Sequence, residues 1–236
     1  MDQLPLTGRK ALVIGAGTPV GRAIAVALAE AGADVAVAAA TIDGEEVMAA
    51  RRTKRAVAAL GRRTAEYAFD TTLGQNVQVS TRQVTKELGG LDLLVNAQDG
   101  FVSAAAERMS DSEWGRSVAL NLSGVFFACR AALREMSAGG GAILNVVQAP
   151  PHGGAAPGAA YAAAKAGVIG LSRALASELA DRGIRVNAIE IAGHPDSGDE
   201  LTAPPEAQAA ALTVFLASPG CPLTGQVLRA GGFPLL

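Results

Sequence analysis

The chain has 236 residues, a net charge of −2 and 50% hydrophobic residues. This length is sufficient for one large domain with its own core, so we predict a single domain over residues 1–236. The small negative charge argues against a nucleic-acid partner. The sequence has no uncharged apolar run of about 18 residues, so we expect no membrane span.

The cysteines, the histidines and the N-terminus bear on metal binding and on the cellular compartment. Cys129 and Cys221 lie far apart without a metal-ligand spacing, and His152 and His194 are the two histidines, so we expect no metal site. Residues 1–5 have no basic region leading into an apolar run, which argues against a secretory signal. Free thiols suit a reducing compartment, and we therefore expect a cytoplasmic protein.

Short apolar runs alternate along the chain with longer segments whose apolar residues recur at helical spacing. Runs of the first kind predict buried strands and segments of the second kind predict helices. The predicted strands cover residues 9–15, 33–39, 67–70, 91–96, 142–147, 184–191 and 226–229. The predicted helices cover residues 19–32, 45–60, 75–88, 110–136, 159–181 and 205–217. This alternation indicates an α/β fold, a single Rossmann-like doubly wound parallel sheet with helices on both faces.

The turn after the first predicted strand, residues 15–21 (GAGTPVG), is rich in glycine. In a doubly wound sheet, ligands bind at the carboxyl ends of the strands, near the point where the strand order reverses. Glycines there let the backbone approach a pyrophosphate, which the following helix N-terminus stabilises. The pattern therefore favours nucleotide binding, and a turn required only by packing is the alternative.

Tyr161 and Lys165 are four residues apart in a predicted helix, so they project from one face. A nearby ammonium favours the phenolate and lowers the pKa of a tyrosine from its usual value of about 10. Such a pair suits a general acid/base acting on an alcohol or a carbonyl. Lys165 as a merely solvated charge is the alternative.

Further motifs occur in an order and spacing typical of one known family: Asp70, Asn96, Trp114 with Asn121, Arg185-Val186-Asn187 and Leu223-Thr224-Gly225-Gln226. Together with residues 15–21 and the Tyr161–Lys165 pair, they make the chain resemble the short-chain dehydrogenase/reductase family along nearly its whole length. The resemblance implies an NAD(P)-dependent oxidoreductase that interconverts a carbonyl and a secondary alcohol.

The same resemblance implies roles for individual residues. Tyr161 is the acid/base, Lys165 binds the ribose hydroxyls and tunes Tyr161, and Asn121 holds a water in the proton relay. Asp70 meets the adenine, and Asn96 lies under the ribose on the nicotinamide side. The alternative for Asp70 is a cap at the end of a strand, and the alternative for Asn121 is a hydrogen-bonding residue inside a helix. The implied cofactor-binding set is Gly15, Gly17, Thr18, Val20, Gly21, Asp70, Thr71, Asn96, Ala97, Tyr161 and Lys165.

The sequence departs from the family pattern at the catalytic serine, whose position is taken by Gln148. The serine hydroxyl holds the substrate oxygen during hydride transfer. A glutamine amide also donates a hydrogen bond, but its side chain is longer and more flexible than that of serine, so it positions the substrate oxygen less well. Gln148 is therefore the fourth candidate catalytic residue, and we expect impaired or altered activity. His152 is a second candidate donor if its loop folds inward, and an exposed loop histidine is the alternative.

Further departures concern the cofactor and the substrate. Pro19 replaces a glycine, and although proline suits the first turn of a helix, it supplies no N–H. Asp99 replaces a glycine that leaves room for the cofactor, and it brings both bulk and charge. The loop between the sixth strand and the last long helix is shorter than the usual substrate lid, and its residues 193–199 are polar. A small lid means an open site, which suits a bulky or carrier-bound substrate, or no substrate at all.

Cofactor choice is weakly marked in the sequence. The acid that would bind the NAD ribose hydroxyls belongs at the end of the second strand, where residues 38–40 are alanines. Basic residues that would mark NADP are missing from the same turn. A pocket without an acid does not repel a 2′-phosphate, so we predict a weak preference for NADP over NAD.

Three functional hypotheses follow from these patterns. The first is an active oxidoreductase acting on a small-molecule or carrier-bound carbonyl, assembled as a homodimer or homotetramer, as the resemblance implies. The second is a degenerate, non-catalytic subunit that pairs with an intact relative in a mixed oligomer. The third keeps the scaffold and uses Tyr161 and Gln148 for non-redox chemistry.

Overall fold

The computed structural model describes residues 4–136, 140–148, 158–191 and 204–230. Its sheet has seven strands in the order β3-β2-β1-β4-β5-β6-β7, and every neighbouring pair is parallel. The strands are β1 Lys10–Ile14, β2 Asp34–Ala39, β3 Glu66–Ala68, β4 Leu93–Asn96, β5 Gly141–Gln148, β6 Ile184–Ile191 and β7 Val227–Ala230. The predicted doubly wound α/β fold is confirmed.

Seven α-helices connect these strands within the described residues. They are α1 Pro19–Glu30, α2 Gly44–Ala59, α3 Gly74–Leu88, α4 Asp111–Val118, α5 Gly124–Glu135, α6 Ala159–Glu178 and α7 Pro205–Ala217. The helix predicted over residues 110–136 is divided, because a π-helical turn at Ala119–Ser123 separates α4 from α5. Such wider turns are frequent at functional sites, and this one contains Asn121.

Both faces of the sheet are covered by helices, as continuous apolar strands predict. Ala11 and Val13 of β1 pack into the core beneath α1 and α7, whereas Leu12 and Ile14 pack into the core beneath α3, α5 and α6. Successive side chains of a strand point to opposite faces, so one strand contributes to both cores. No helix among the described residues is long and apolar enough to cross a membrane.

The strand order reverses between β1 and β4. From β1 the chain moves outward to β2 and β3, and it then returns to pair β4 with the other side of β1. At this switch point the loops that follow β1 and β4 diverge at the carboxyl edge of the sheet, which is where ligands of such folds bind. His152, His194 and the loop over residues 193–199 lie outside the described residues.

Substitution of Gly21, in the first turn of α1, tests how tightly the β1–α1 turn is packed. A Cβ at Gly21 would lie 2.1 Å from the carbonyl oxygen of Gly15, a backbone atom that cannot rotate away. We predict that Gly21→Ala lowers the free energy of unfolding by about 1–3 kcal/mol, the usual cost of overpacking. Urea denaturation of the purified variant measures this change.

Gly44→Ala is the matched control, because a Cβ at Gly44 meets no atom within 4 Å. Its free energy of unfolding should stay within about 0.5 kcal/mol of the parent, as for other surface changes. Equal stability of the two variants would contradict the packing assigned to Gly21.

Candidate active site

Gly15 lets the β1–α1 turn pack against the residues that follow β4, and Gly21 packs against Gly15 within the turn. Gly15 has a φ of 81°, a left-handed conformation that glycine adopts without strain. A Cβ at Gly15 would lie 2.5 Å from the backbone of Ala97. Packing of the turn therefore requires these glycines by itself, and their contact with a pyrophosphate stays a prediction.

Several amides at the N-terminus of α1 are already bonded. Thr18 caps the helix, and its Oγ1 accepts a hydrogen bond from the Gly21 N–H at 3.0 Å. The carbonyl of Thr18 accepts from the Arg22 N–H at 2.9 Å. Pro19 lies in the first turn, as predicted, and supplies no N–H, and the side chain of Val20 is buried. This terminus therefore offers fewer free donors to a phosphate than the glycine pattern predicts.

Glu46, in the first turn of α2, brings a carboxylate to the end of β2. Its Oε1 accepts from the Ala40 N–H at 2.7 Å, and its Oε2 accepts from the N–H and the hydroxyl of Thr41 at 3.1 and 2.5 Å. The residue also packs on the glycine-rich turn, since a Cβ at Gly17 would lie 2.8 Å from the Glu46 carbonyl oxygen. The end of β2, which the sequence suggested to be free of acid, is therefore acidic.

Asp70 and Thr71 follow β3 at the same edge of the sheet. Asp70 Oδ1 accepts from the N–H and the hydroxyl of Thr72, at 3.1 and 2.5 Å, and so caps its own turn. Thr71 is fully buried, and its hydroxyl donates to the Ala40 carbonyl at 2.9 Å. Both residues stabilise the loop, which is the alternative that the sequence left open for Asp70, and their contact with an adenine stays a prediction.

Asn96 begins a buried chain of polar side chains beneath the site. Its Nδ2 donates to Asn145 Oδ1 at 2.8 Å, and Asn145 Nδ2 donates to Ser172 Oγ at 2.8 Å. This chain ties β4 to β5 and α6. The next residue, Ala97, donates its N–H to the Ile14 carbonyl at 2.8 Å, which attaches the start of the β4 loop to β1. Asn96 and Ala97 therefore fix the floor on which the following residues lie.

Asp99 joins the predicted acid/base pair directly. The Tyr161 hydroxyl donates to Asp99 Oδ1 at 2.8 Å, and Lys165 Nζ lies 2.8 Å from the same oxygen. The side chain of Lys165 is 4% exposed and that of Asp99 is 21% exposed. Lys165 also donates to the Gln98 carbonyl at 3.2 Å and lies 5.2 Å from the centre of the Tyr161 ring. Lys165 is therefore a buried, paired charge rather than a solvated one.

The protonation of this cluster differs from the sequence expectation. Burial raises the pKa of Tyr161 well above its usual value, and the Asp99 carboxylate raises this pKa further. Burial lowers the pKa of Lys165, and Asp99 opposes that effect. The expectation of a lowered pKa for Tyr161 is wrong for this arrangement, because burial and the Asp99 carboxylate, which accepts a hydrogen bond from the phenol, both raise that pKa.

Asn121, fully buried in the π-helical turn, anchors the loop that carries Asp99. Its Nδ2 donates to the Gly100 carbonyl at 2.8 Å and to the Ser117 carbonyl at 3.0 Å. Its Oδ1 accepts from the Gly100 N–H at 3.2 Å. This reciprocal pair fixes the backbone on the far side of Asp99, and a water held by Asn121 stays a prediction.

Gln148, at the end of β5, faces Tyr161 through its backbone. The Gln148 carbonyl oxygen lies 3.3 Å from the Tyr161 hydroxyl and is a second, longer acceptor for the proton that points to Asp99. The ring of Phe101 packs edge-on against Tyr161 with 5.2 Å between centroids, a contact that the sequence did not indicate. Tyr161 is therefore enclosed by Asp99, Gln148 and Phe101.

Gln98 carries a buried side-chain amide at the site. It is 2% exposed, and neither its Nε2 nor its Oε1 has a hydrogen-bond partner among the described residues. A buried amide without partners costs free energy and calls for an explanation. No pattern in the sequence distinguished this residue.

A nicotinamide dinucleotide can be tested against these contacts. Its adenosine half fits the end of β2 in chemical terms, since Glu46 accepts three of the roughly four hydrogen bonds that a carboxylate can take and keeps capacity for a ribose hydroxyl. Its other ribose does not fit while Asp99 occupies both Tyr161 and Lys165. For metals, the described ranges contain no group of three His, Cys, Asp or Glu side chains that could hold an ion.

Comparison with known proteins assigns the chain to a family. A family model of short chain dehydrogenases matches residues 9–194. The chain is 38% identical over 185 residues to a D-threitol dehydrogenase of Mycolicibacterium smegmatis, covering 78% of this chain and 69% of that protein. It is 33% identical over 248 aligned positions to a 3-oxoacyl-(acyl-carrier-protein) reductase of Chlamydia trachomatis, covering 96% and 97% of the two chains.

The fold agrees with these sequence relationships. A crystal structure of a short chain dehydrogenase from Mycobacterium smegmatis superposes with a TM-score of 0.85 at 30% identity, covering 99% of this chain and 95% of that one. An acetoin dehydrogenase from Enterobacter cloacae superposes with a TM-score of 0.81 at 28% identity, covering 94% and 93%. The chain belongs to the short-chain dehydrogenase/reductase family, and the relatives named here are dehydrogenases and a reductase.

Proposed function

We propose that the protein is an oxidoreductase that interconverts a secondary alcohol and a carbonyl with a nicotinamide cofactor. The observation that carries the proposal is the buried Tyr161–Lys165 pair at the carboxyl edge of the sheet, beside the switch point. The named activities of its relatives, D-threitol dehydrogenase and 3-oxoacyl-(acyl-carrier-protein) reductase, support the same reaction class. A small-molecule or carrier-bound carbonyl is the proposed substrate.

In this proposal the protein residues manage the proton and the substrate oxygen. The bound cofactor supplies or accepts the hydride. Tyr161 Oη gives a proton to the carbonyl oxygen or takes one from the alcohol, and Lys165 stabilises the phenolate form once its ammonium is free of Asp99. The Gln148 amide holds the substrate oxygen where the family has a serine. Asn121 keeps the loop after β4 in place through Gly100.

We propose NAD rather than NADP as the cofactor, because Glu46 removes the premise of the sequence-based preference. A carboxylate at the end of β2 accepts hydrogen bonds from ribose hydroxyls, as an acid does in dinucleotide-binding folds. A 2′-phosphate carries a charge of roughly −1.5 to −2 and would lie close to Glu46. Like charges in proximity are unfavourable, so Glu46 disfavours NADP.

A second candidate function is favoured by the Asp99 contact. An acid held by both Tyr161 and Lys165 suits a non-catalytic subunit whose role is to pair with an intact relative. We propose assembly through α4, α5 and α6 in either case, because Trp114 and Phe126 are exposed large side chains on α4 and α5. A homodimer or homotetramer agrees with the catalytic proposal, and a mixed oligomer agrees with the second.

Tyr161→Phe tests the catalytic proposal. General acid/base groups contribute about 10²- to 10⁴-fold to a rate, so kcat should fall by at least about 100-fold. The assay is NADH- or NADPH-linked turnover of a panel of ketones, polyols and carrier-bound 3-oxo thioesters. Tyr67→Phe is the matched control. Tyr67 lies in β3, where its hydroxyl donates to Glu87, so this substitution should leave kcat unchanged. Absence of turnover with every substrate would favour the non-catalytic subunit.

Glu46→Gln tests the cofactor choice. The amide keeps the size of the side chain and removes its charge, so affinity for NADPH should rise by about tenfold, equivalent to 1.4 kcal/mol. Affinity for NADH should stay equal or fall. Nicotinamide fluorescence titration of both cofactors measures the ratio, and Glu45→Gln, an exposed neighbour in the same helical turn, serves as the charge-matched control. A parent protein that already prefers NADPH would contradict this assignment.

A further inference from the structure

Asp99 already acts as an internal ligand of the Tyr161–Lys165 pair. One carboxylate oxygen lies 2.8 Å from Tyr161 Oη and 2.8 Å from Lys165 Nζ. Since the Lys165 side chain is 4% exposed, the ion pair is largely removed from water, where charges interact more strongly than at a surface. The two polar groups that a pair of ribose hydroxyls would use are therefore taken by the protein itself.

We propose that Asp99 is an intramolecular competitor of the nicotinamide cofactor, holding the place of the ribose hydroxyls until its side chain turns away. This inference rests on the proposed function, because that function assigns Lys165 to the ribose. It adds that, in the protein without cofactor, Asp99 blocks the end of the site next to Tyr161. The open form is then the one that binds dinucleotide.

The backbone on both sides of Asp99 is fixed, so opening is a rotation of its side chain. On one side, the Ala97 N–H is bonded to the Ile14 carbonyl at 2.8 Å. On the other side, Gly100 is held by the reciprocal bonds of Asn121 at 2.8 and 3.2 Å. Gly100 is also tightly packed, since a Cβ there would lie 2.4 Å from Leu120 Cδ2. These contacts leave Gln98 and Asp99 as the adjustable residues of the loop.

Gln98 gives independent support for a second state of this loop. Its buried amide lacks partners for both Nε2 and Oε1 among the described residues, so the closed arrangement leaves hydrogen-bonding capacity unused. A ligand or a rotated neighbouring side chain that satisfies this amide would recover the cost of its burial. The unpartnered amide of Gln98 thus lies directly next to the residue that closes the site.

Closure also affects the chemistry. While Asp99 is in place, the phenol proton of Tyr161 is directed to a carboxylate and the charge of Lys165 is neutralised. The closed form is therefore inactive in acid/base catalysis. Because only the open fraction binds cofactor, the apparent affinity is reduced in proportion to that fraction.

The effect is confined to one end of the cofactor site. Asp99 follows β4 and contacts α6, whereas Glu46 lies at the end of β2 on the other side of β1. The adenosine end is therefore unaffected by the state of Asp99. Fragments of the cofactor can separate the two ends, since AMP contains the adenosine half and lacks the nicotinamide ribose.

The experiment titrates NADH and AMP separately against the full-length parent protein, Asp99→Gly and Asp99→Asn. Asp99→Gly removes the competing side chain, and Asp99→Asn keeps its volume without its charge, so one of them remains testable if the other does not fold. We expect NADH to bind Asp99→Gly at least about tenfold more tightly than the parent, with a smaller gain for Asp99→Asn. AMP should bind all three proteins equally. Glu107→Gln, an exposed acid in the same loop, should match the parent.

The outcomes separate the two proposals. Equal NADH affinity for the parent and both Asp99 variants would overturn the competition, as would a parallel gain for AMP, which indicates general loosening. Tighter NADH binding by Asp99→Gly without turnover of any substrate would support the competition and overturn the oxidoreductase proposal. Failure of every folded variant to bind NADH would overturn both.

Discussion

One carboxylate oxygen, Oδ1 of Asp99, determines the state of the candidate active site. It accepts a hydrogen bond from the Tyr161 hydroxyl and pairs with the ammonium of Lys165, both at 2.8 Å. In the absence of this acid, a buried ammonium next to a phenol would favour the phenolate. With the acid present, burial and the carboxylate both favour the neutral phenol, and Asp99 opposes the loss of charge that burial favours at Lys165. Tyr161 and Lys165 therefore have the relative position of an acid/base pair, but the Asp99 carboxylate opposes ionisation of Tyr161.

The fold explains why this carboxylate reaches the pair. The switch point brings the loops after β1 and β4 together. Gly15 packs so closely against Ala97 that the backbone at the start of the loop after β4 is restricted. Asn121 fixes the next part of that loop at Gly100. With Glu46 held at the end of β2, the carboxyl edge of the sheet carries carboxylates on both sides of β1. This arrangement is the basis for proposing that the edge disfavours a 2′-phosphate.

The sequence predicted the sheet, its helices and the edge on which the site lies, because continuous apolar strands and glycine turns depend on local spacing. It also placed Tyr161 and Lys165 correctly on one helix, α6, whereas Asn121, which was expected inside a continuous helix over residues 110–136, lies in a π-helical turn that divides that helix. It missed Glu46, since an acid three residues after the N-cap Asp43 is the pattern of a capping box, yet Glu46 bonds instead to Ala40 and Thr41. Such partners are set by tertiary packing, and so is the direction of the Asp99 side chain.

Ionisation of Tyr161 in the folded protein is the most direct measurement of this electrostatic arrangement. The sequence has two tyrosines, so a Tyr67→Phe background leaves Tyr161 as the only one whose tyrosinate absorbance can change with pH. We predict that Tyr161 stays protonated throughout the pH range in which circular dichroism shows a folded chain. We also predict that adding Asp99→Asn lowers its pKa, because Lys165 is then free to stabilise the phenolate. Identical titrations with and without Asp99 would contradict the role assigned to this carboxylate.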